Sequence, residues 1–85
     1  MPTDKLALTG RLEDYSVPIL WRDFISILKL LGFEMSKKSG SSARLFFCGH
    51  VQFIAYEPHG REKTVGINSR KKAMDALKRL RGEET

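Results

Sequence analysis

Arg44-Leu45-Phe46-Phe47-Cys48-Gly49-His50-Val51-Gln52-Phe53-Ile54-Ala55-Tyr56 is the stretch on which the fold turns. Two aromatic-rich apolar runs flank a Gly-His pair. Aromatic and β-branched side chains suit a half-buried pleated surface, and a two-residue link with Gly first is a hairpin turn. The expected strands are 44–48 and 51–56, closed as a hairpin. Upstream, Phe33-Glu34-Met35 reads as a further short strand. The polar, flexible loop Lys37-Lys38-Ser39-Gly40-Ser41-Ser42 joins it to the hairpin.

Helical patterns bracket these strands. Trp21, Phe24, Ile25, Leu28 and Leu31 recur at helical spacing, with Arg22, Asp23, Ser26 and Lys29 on the other side. That periodicity predicts a helix over roughly 19–31, opened by Pro18 in its first turn and stopped by Gly32. After a loop beginning at Pro58 and Gly60, Ala73, Met74, Leu77 and Leu80 form a second stripe. Asn68 or Ser69 is its expected cap, and Gly82 its end. Residues 1–16 are weakly patterned, because Gly10 interrupts Leu6, Ala7, Leu8 and Leu12, and read as an arm or a short helix. The expected organisation is that segment, one domain over 17–82 and a tail at 83–85. The fold class is α+β in the order α-β-β-β-α: a three-stranded antiparallel sheet with two helices packed on one face. That unit uses nearly all of the chain, so the 85 residues are expected to be complete.

Composition narrows the function classes. The chain has 85 residues, 41% of them hydrophobic, which is too many for a disordered polymer and too few residues for two cores. One cysteine, Cys48, permits no intramolecular disulfide, and this fits a reducing cytoplasm. No apolar run reaches the length of a membrane span, and no signal peptide is evident. The net charge of +5 calls for an anionic partner. The charge is uneven: residues 1–35 sum to −1 and residues 36–85 to +6.

The basic side chains of the second half are the first candidate site. Lys37, Lys38 and Arg44 frame the Gly/Ser loop, which also carries Ser41 and Ser42. Arg61 and Lys63 lie before the last helix, and Arg70, Lys71 and Lys72 fill its first turn. Cations at a helix start oppose the macrodipole, but the same turn presents unpaired amides, so the run reads either as a phosphate-binding site or as a solvated face. His59 follows the last strand and is a candidate general acid or base, since imidazole gains and loses a proton near neutral pH. An ordinary loop histidine is the alternative. His50 reads as an exposed turn residue. Glu57 and His59 alone do not make a metal site, and no metal or cofactor is expected. Cys48 reads as a small buried hydrophobe. Trp21 and Tyr56 are of the type that stacks on bases. Trp21 lies on the apolar stripe and is assigned to the core, whereas Tyr56 is left open.

The segment Gly66-Ile67-Asn68-Ser69-Arg70-Lys71-Lys72-Ala73 resembles the start of the second helix of double-stranded-RNA-binding domains, where lysines reach phosphates across a groove. More broadly, WRDFISILKLLGFEMSKKSGSSARLFF, followed by FIAYEPHG and a terminal helix, resembles the HicA-type toxins over about residues 17–81. The resemblance implies a double-stranded-RNA-binding-like fold and metal-independent cleavage of mRNA. In that chemistry a base activates the ribose 2′-hydroxyl, and lysines and arginines hold the strand. It also implies a HicB-like antitoxin as protein partner.

Members of that family carry Gly, then Gly or Ser, then a catalytic His, two residues and an aromatic. Here Ser41-Ser42-Ala43-Arg44-Leu45-Phe46 puts Ala43 where the His belongs. Alanine cannot accept or donate a proton. Three readings stay open: a His replaced by Ala, a divergent branch in which His59 contributes, or a catalytically silent RNA binder. The function classes to be separated are a HicA-like endoribonuclease, a non-catalytic RNA-binding module of the same fold, and a basic protein-interaction domain.

Overall fold

A computed structural model describes residues 5–37, 42–59 and 63–82. Along the chain run α1 (Lys5–Glu13), α2 (Trp21–Leu30), β1 (Glu34–Lys37), β2 (Ala43–Cys48), β3 (Val51–Tyr56) and α3 (Ile67–Leu80). The strands form one antiparallel sheet in the order β1-β2-β3. The architecture is the expected α+β arrangement with one helix more, because the N-terminal segment is helical over 5–13.

The hairpin sets the faces of the sheet. Cys48 pairs with Val51, so Gly49 and His50 alone make the turn. Gly49 takes φ +61° and His50 does not have positive φ, as a type II′ turn requires. Phe46 pairs with Phe53, and Met35 with Phe46. Strand alternation then puts Met35, Phe46, Val51, Phe53 and Ala55 on one face, and Ala43, Leu45, Phe47, Ile54 and Tyr56 on the other. The first face meets the helices. Phe46 lies edge-on to Trp21 and Phe24, with centroids 6.1 and 5.8 Å away. It also stacks on Phe53 at 5.2 Å, and Phe53 meets Phe33 edge-on at 5.5 Å. Such pairs contribute about 0.5–1.5 kcal/mol each beyond the area they bury. Ala73, Met74, Ala76 and Leu77 of α3 and Leu12 of α1 close the same core.

The ends of α2 show how local chemistry sets its bounds. At the C-terminus, Gly32 adopts φ +106° and donates its N–H to the Lys29 carbonyl, while Phe33 donates to Leu28. That pair of bonds is the Schellman closure, and the buried Phe33 anchors it. At the N-terminus the helix begins later than the Pro18 reading predicts. Residues 19–20 are extended and pair with 64–65, through Val65 N–H to Ile19 O at 2.9 Å and the Leu20–Thr64 bridge. The Trp21 N–H, an orphan of the first turn, donates to the Lys63 carbonyl at 2.6 Å.

The cap of α3 also differs from expectation. Gly66 is the N-cap, and neither Asn68 nor Ser69 makes a capping bond. Ser69 turns inward, and its Oγ accepts the Tyr56 N–H at 3.4 Å, which ties α3 to the end of β3.

Arg70 explains why residues 5–13 hold a helix despite their weak pattern. Its side chain is 2% exposed and reaches the C-terminal end of α1. Nε and Nη2 donate to the Leu12 carbonyl, Nη2 also to Arg11 and Asp14, and Nη1 to Val17, at 2.7–3.2 Å. These include the orphan carbonyls of a helix end, where the macrodipole favours a cation. The Tyr15 ring lies 5.3 Å from the guanidinium carbon. Burial holds the Arg70 pKa below its ordinary value, against the attraction of Tyr15 and Asp14. No helix among the described residues is long and apolar enough to cross a membrane.

Candidate nucleic-acid interface

The sheet face turned away from the core carries the site. Leu45, Phe47 and Ile54 are half-buried there, while Tyr56, at the end of β3, is 55% exposed. Opposite Tyr56 in the sheet register is Ala43, the first residue of β2, 8% exposed.

Beside this face runs the exposed side of α3. Successive helical residues turn by about 100°, so the neighbours of buried Arg70 point elsewhere. Lys71 and Lys72 are exposed, and neither joins an ion pair among the described residues. The Lys72 ammonium sits 5.8 Å from the centre of the Tyr56 ring, a cation–π contact. Between helix and strand lies an open groove of about 570 Å³, floored by Leu45 and Ile54 and rimmed by Lys71, Lys72 and Asp75. Arg79 on the same rim pairs with Asp75 at 3.6 Å and offsets the one acidic group there. The local balance is positive.

Tyr56 itself borders a separate concavity, of about 490 Å³, at the start of α3. Ser42, His59, Asn68 and Ser69 line it. The fold thus brings together Ser42 and His59 in one pocket, beside Ala43 in the chain, with Lys71 and Lys72 around the corner of Tyr56. His59 is exposed. Among the described residues, no three His, Cys, Asp or Glu side chains are grouped to hold a metal ion.

Other expected site residues go elsewhere. Arg44 points to the core side of the sheet, where Nη2 donates to Glu57 Oε1 at 2.9 Å and Nη1 to the Ala43 carbonyl at 2.9 Å. Lys63 approaches the other oxygen of Glu57 at 3.7 Å. These two cations form a small ion network beside Leu20 and Trp21, away from the groove. Arg70, placed by sequence in the phosphate-binding run, is withdrawn from it, because its five hydrogen bonds go to backbone carbonyls beneath the surface. Lys37 ends β1 opposite Arg44. Lys38, Ser41 and Arg61 lie outside the described residues.

Sequence reasoning missed the pairing of Lys72 with Tyr56. The signal was present in the alternation of β3: Val51, Phe53 and Ala55 face inward, so Tyr56 must face out with Ile54. No family model, curated protein or solved structure matches the chain.

Proposed function

We propose that this chain is an RNA-binding protein of HicA-like design, silent at the position where such toxins cleave. The exposed Lys71 and Lys72 beside the Ser42–His59 pocket carry this reading. Two exposed ammonium groups without an ion-pair partner among the described residues, with the one nearby carboxylate already offset, suit a phosphate backbone. The α+β order and the Gly/Ser loop ahead of β2 fit the HicA resemblance. A reducing cytoplasm and a HicB-like antitoxin with an acidic surface go with it.

Cleavage of RNA without a metal needs a base that takes the 2′-hydroxyl proton while cations offset charge on the phosphate. Ala43 offers only a methyl group. His59 lines the neighbouring pocket with Ser42, which supports a second reading: its imidazole acts in place of the missing one. The test is a set of variants, Ala43→His, His59→Ala and the unchanged chain, scored for growth arrest and for cleavage of mRNA. The proposed reading expects cleavage from Ala43→His alone, with the unchanged chain and His59→Ala both inert. Cleavage by the unchanged chain that His59→Ala abolishes would establish the second reading. An Ala43→His protein that binds RNA and never cuts it would remove the toxin part and leave an RNA-binding module.

A further inference from the structure

We infer that Tyr56 and Lys72 form a slot for one unpaired nucleobase and its phosphate, so that the groove receives single-stranded RNA rather than a duplex. This deepens the RNA-binding reading and rests on it. The register of the hairpin directs Tyr56 outward, where more than half of its surface meets solvent. The ring is nevertheless placed rather than loose. Its backbone N–H is held by Ser69 Oγ at 3.4 Å, and Lys72 lies 5.8 Å from its centre. Tyr56 itself lines the neighbouring concavity and meets the groove through Lys72; an exposed aromatic side chain there is a stacking platform, and every base has a face to offer it. Leu45 and Ile54, on the same sheet face as Tyr56, floor the adjoining groove, and Lys71 and Lys72 stand along one rim. A nucleotide matches that division, with a flat weakly polar base for the floor and an anionic phosphate for the rim.

A duplex matches it poorly. Paired bases are already stacked on one another, and an A-form helix presents sugars and phosphates to a protein surface. It would engage the lysines and leave Tyr56, Leu45 and Ile54 facing backbone. An acidic peptide would also engage the lysines, but brings no flat ring to lay on Tyr56.

The experiment measures fluorescence anisotropy of a labelled oligouridylate and of an RNA duplex of equal length. Both are titrated at low salt with the unchanged protein, Tyr56→Ala and Tyr56→Phe, each checked for fold by circular dichroism. A labelled polyglutamate peptide is the third probe. The slot predicts that the single strand binds more tightly than the duplex. Tyr56→Ala should weaken the single strand by about 5- to 150-fold, the range of one base–aromatic stack. Tyr56→Phe, which keeps the ring, should restore it, and duplex binding should not move. Equal single-strand affinity in the unchanged protein and Tyr56→Ala overturns the slot while RNA binding stands. So does a preference for the duplex. Binding of polyglutamate with no binding of either RNA overturns both the slot and the RNA-binding reading, in favour of an acidic protein partner.

Discussion

Arg70 and its neighbours Lys71 and Lys72 are consecutive in sequence, carry the same charge and meet opposite fates. Arg70 lies beneath the surface and fastens α1 to the domain through backbone carbonyls 53 to 59 residues away in the chain. Lys71 and Lys72 stand in solvent on the rim of the groove. The helical turn separates them: 69, 70, 73, 74, 76 and 77 share the buried side of α3, and 71, 72 and 75 the exposed side. Charge alone does not say what a basic residue is for. A guanidinium can fork to several carbonyls at once, whereas a lysine ammonium is a compact, strongly hydrated point charge.

The largest expected effect breaks the first half of this contrast. Arg70→Ala leaves buried carbonyls at the end of α1 without a donor and should destabilise the fold by about 3–5 kcal/mol. Chemical denaturation monitored by circular dichroism reads it, and Arg70→Lys should rescue little. Lys71→Ala and Lys72→Ala, on the exposed side, should each stay within about 0.5 kcal/mol of the parent. A smaller effect of opposite sign is expected in α1. A Cβ on Gly10 meets no atom within 4 Å, so Gly10→Ala should stabilise the protein by about 0.5–1 kcal/mol through the lower entropy of the unfolded chain. A rise in the thermal midpoint checks this.

The smallest effect concerns Asp14, whose carboxylate accepts from the Ser16 backbone N–H at 3.2 Å and from the Ser16 hydroxyl. These bonds, with help from the Arg70 charge, hold its pKa below the ordinary carboxylate value. A lowered carboxylate pKa adds stability that is fully present above the unfolded-state value and is lost as pH falls through the folded one. A slight extra loss of stability on acidification below the usual carboxylate range is therefore expected, and Asp14→Asn should remove it in a pH series of thermal melts.

Much of the fold is legible in the sequence because its signals are local. The stripe of Trp21, Phe24 and Leu28, the Gly32 stop and the Gly49-His50 turn each depend on residues within a few positions. Helix α1 is not legible in that way. Its apolar pattern is thin, and it is held by Arg70 and by the burial of Leu12 in a core assembled from distant segments. The cap of α3 is illegible for a related reason: Ser69 has the chemistry of a cap but turns its oxygen to β3. Of the candidate site, Lys71 and Lys72 are legible from charge and position. Arg44 and Lys63 look alike on the same grounds but are drawn into the Glu57 network, because β2 begins beside Glu57 only in three dimensions. Helical spacing would have separated Arg70 from the lysines, since 70, 73, 74 and 77 form one stripe.

The contrast is tested most directly by titrating a labelled RNA single strand at several salt concentrations, with the unchanged protein and with the Lys71→Ala, Lys72→Ala double variant. Each phosphate contact adds about 0.7 to the slope of log affinity against log salt on a single strand. The account predicts that the double variant, with unchanged stability, binds more weakly and loses about 1.4 from the slope. An identical slope and affinity in both proteins would contradict it and return these two lysines to the role of a solvated face.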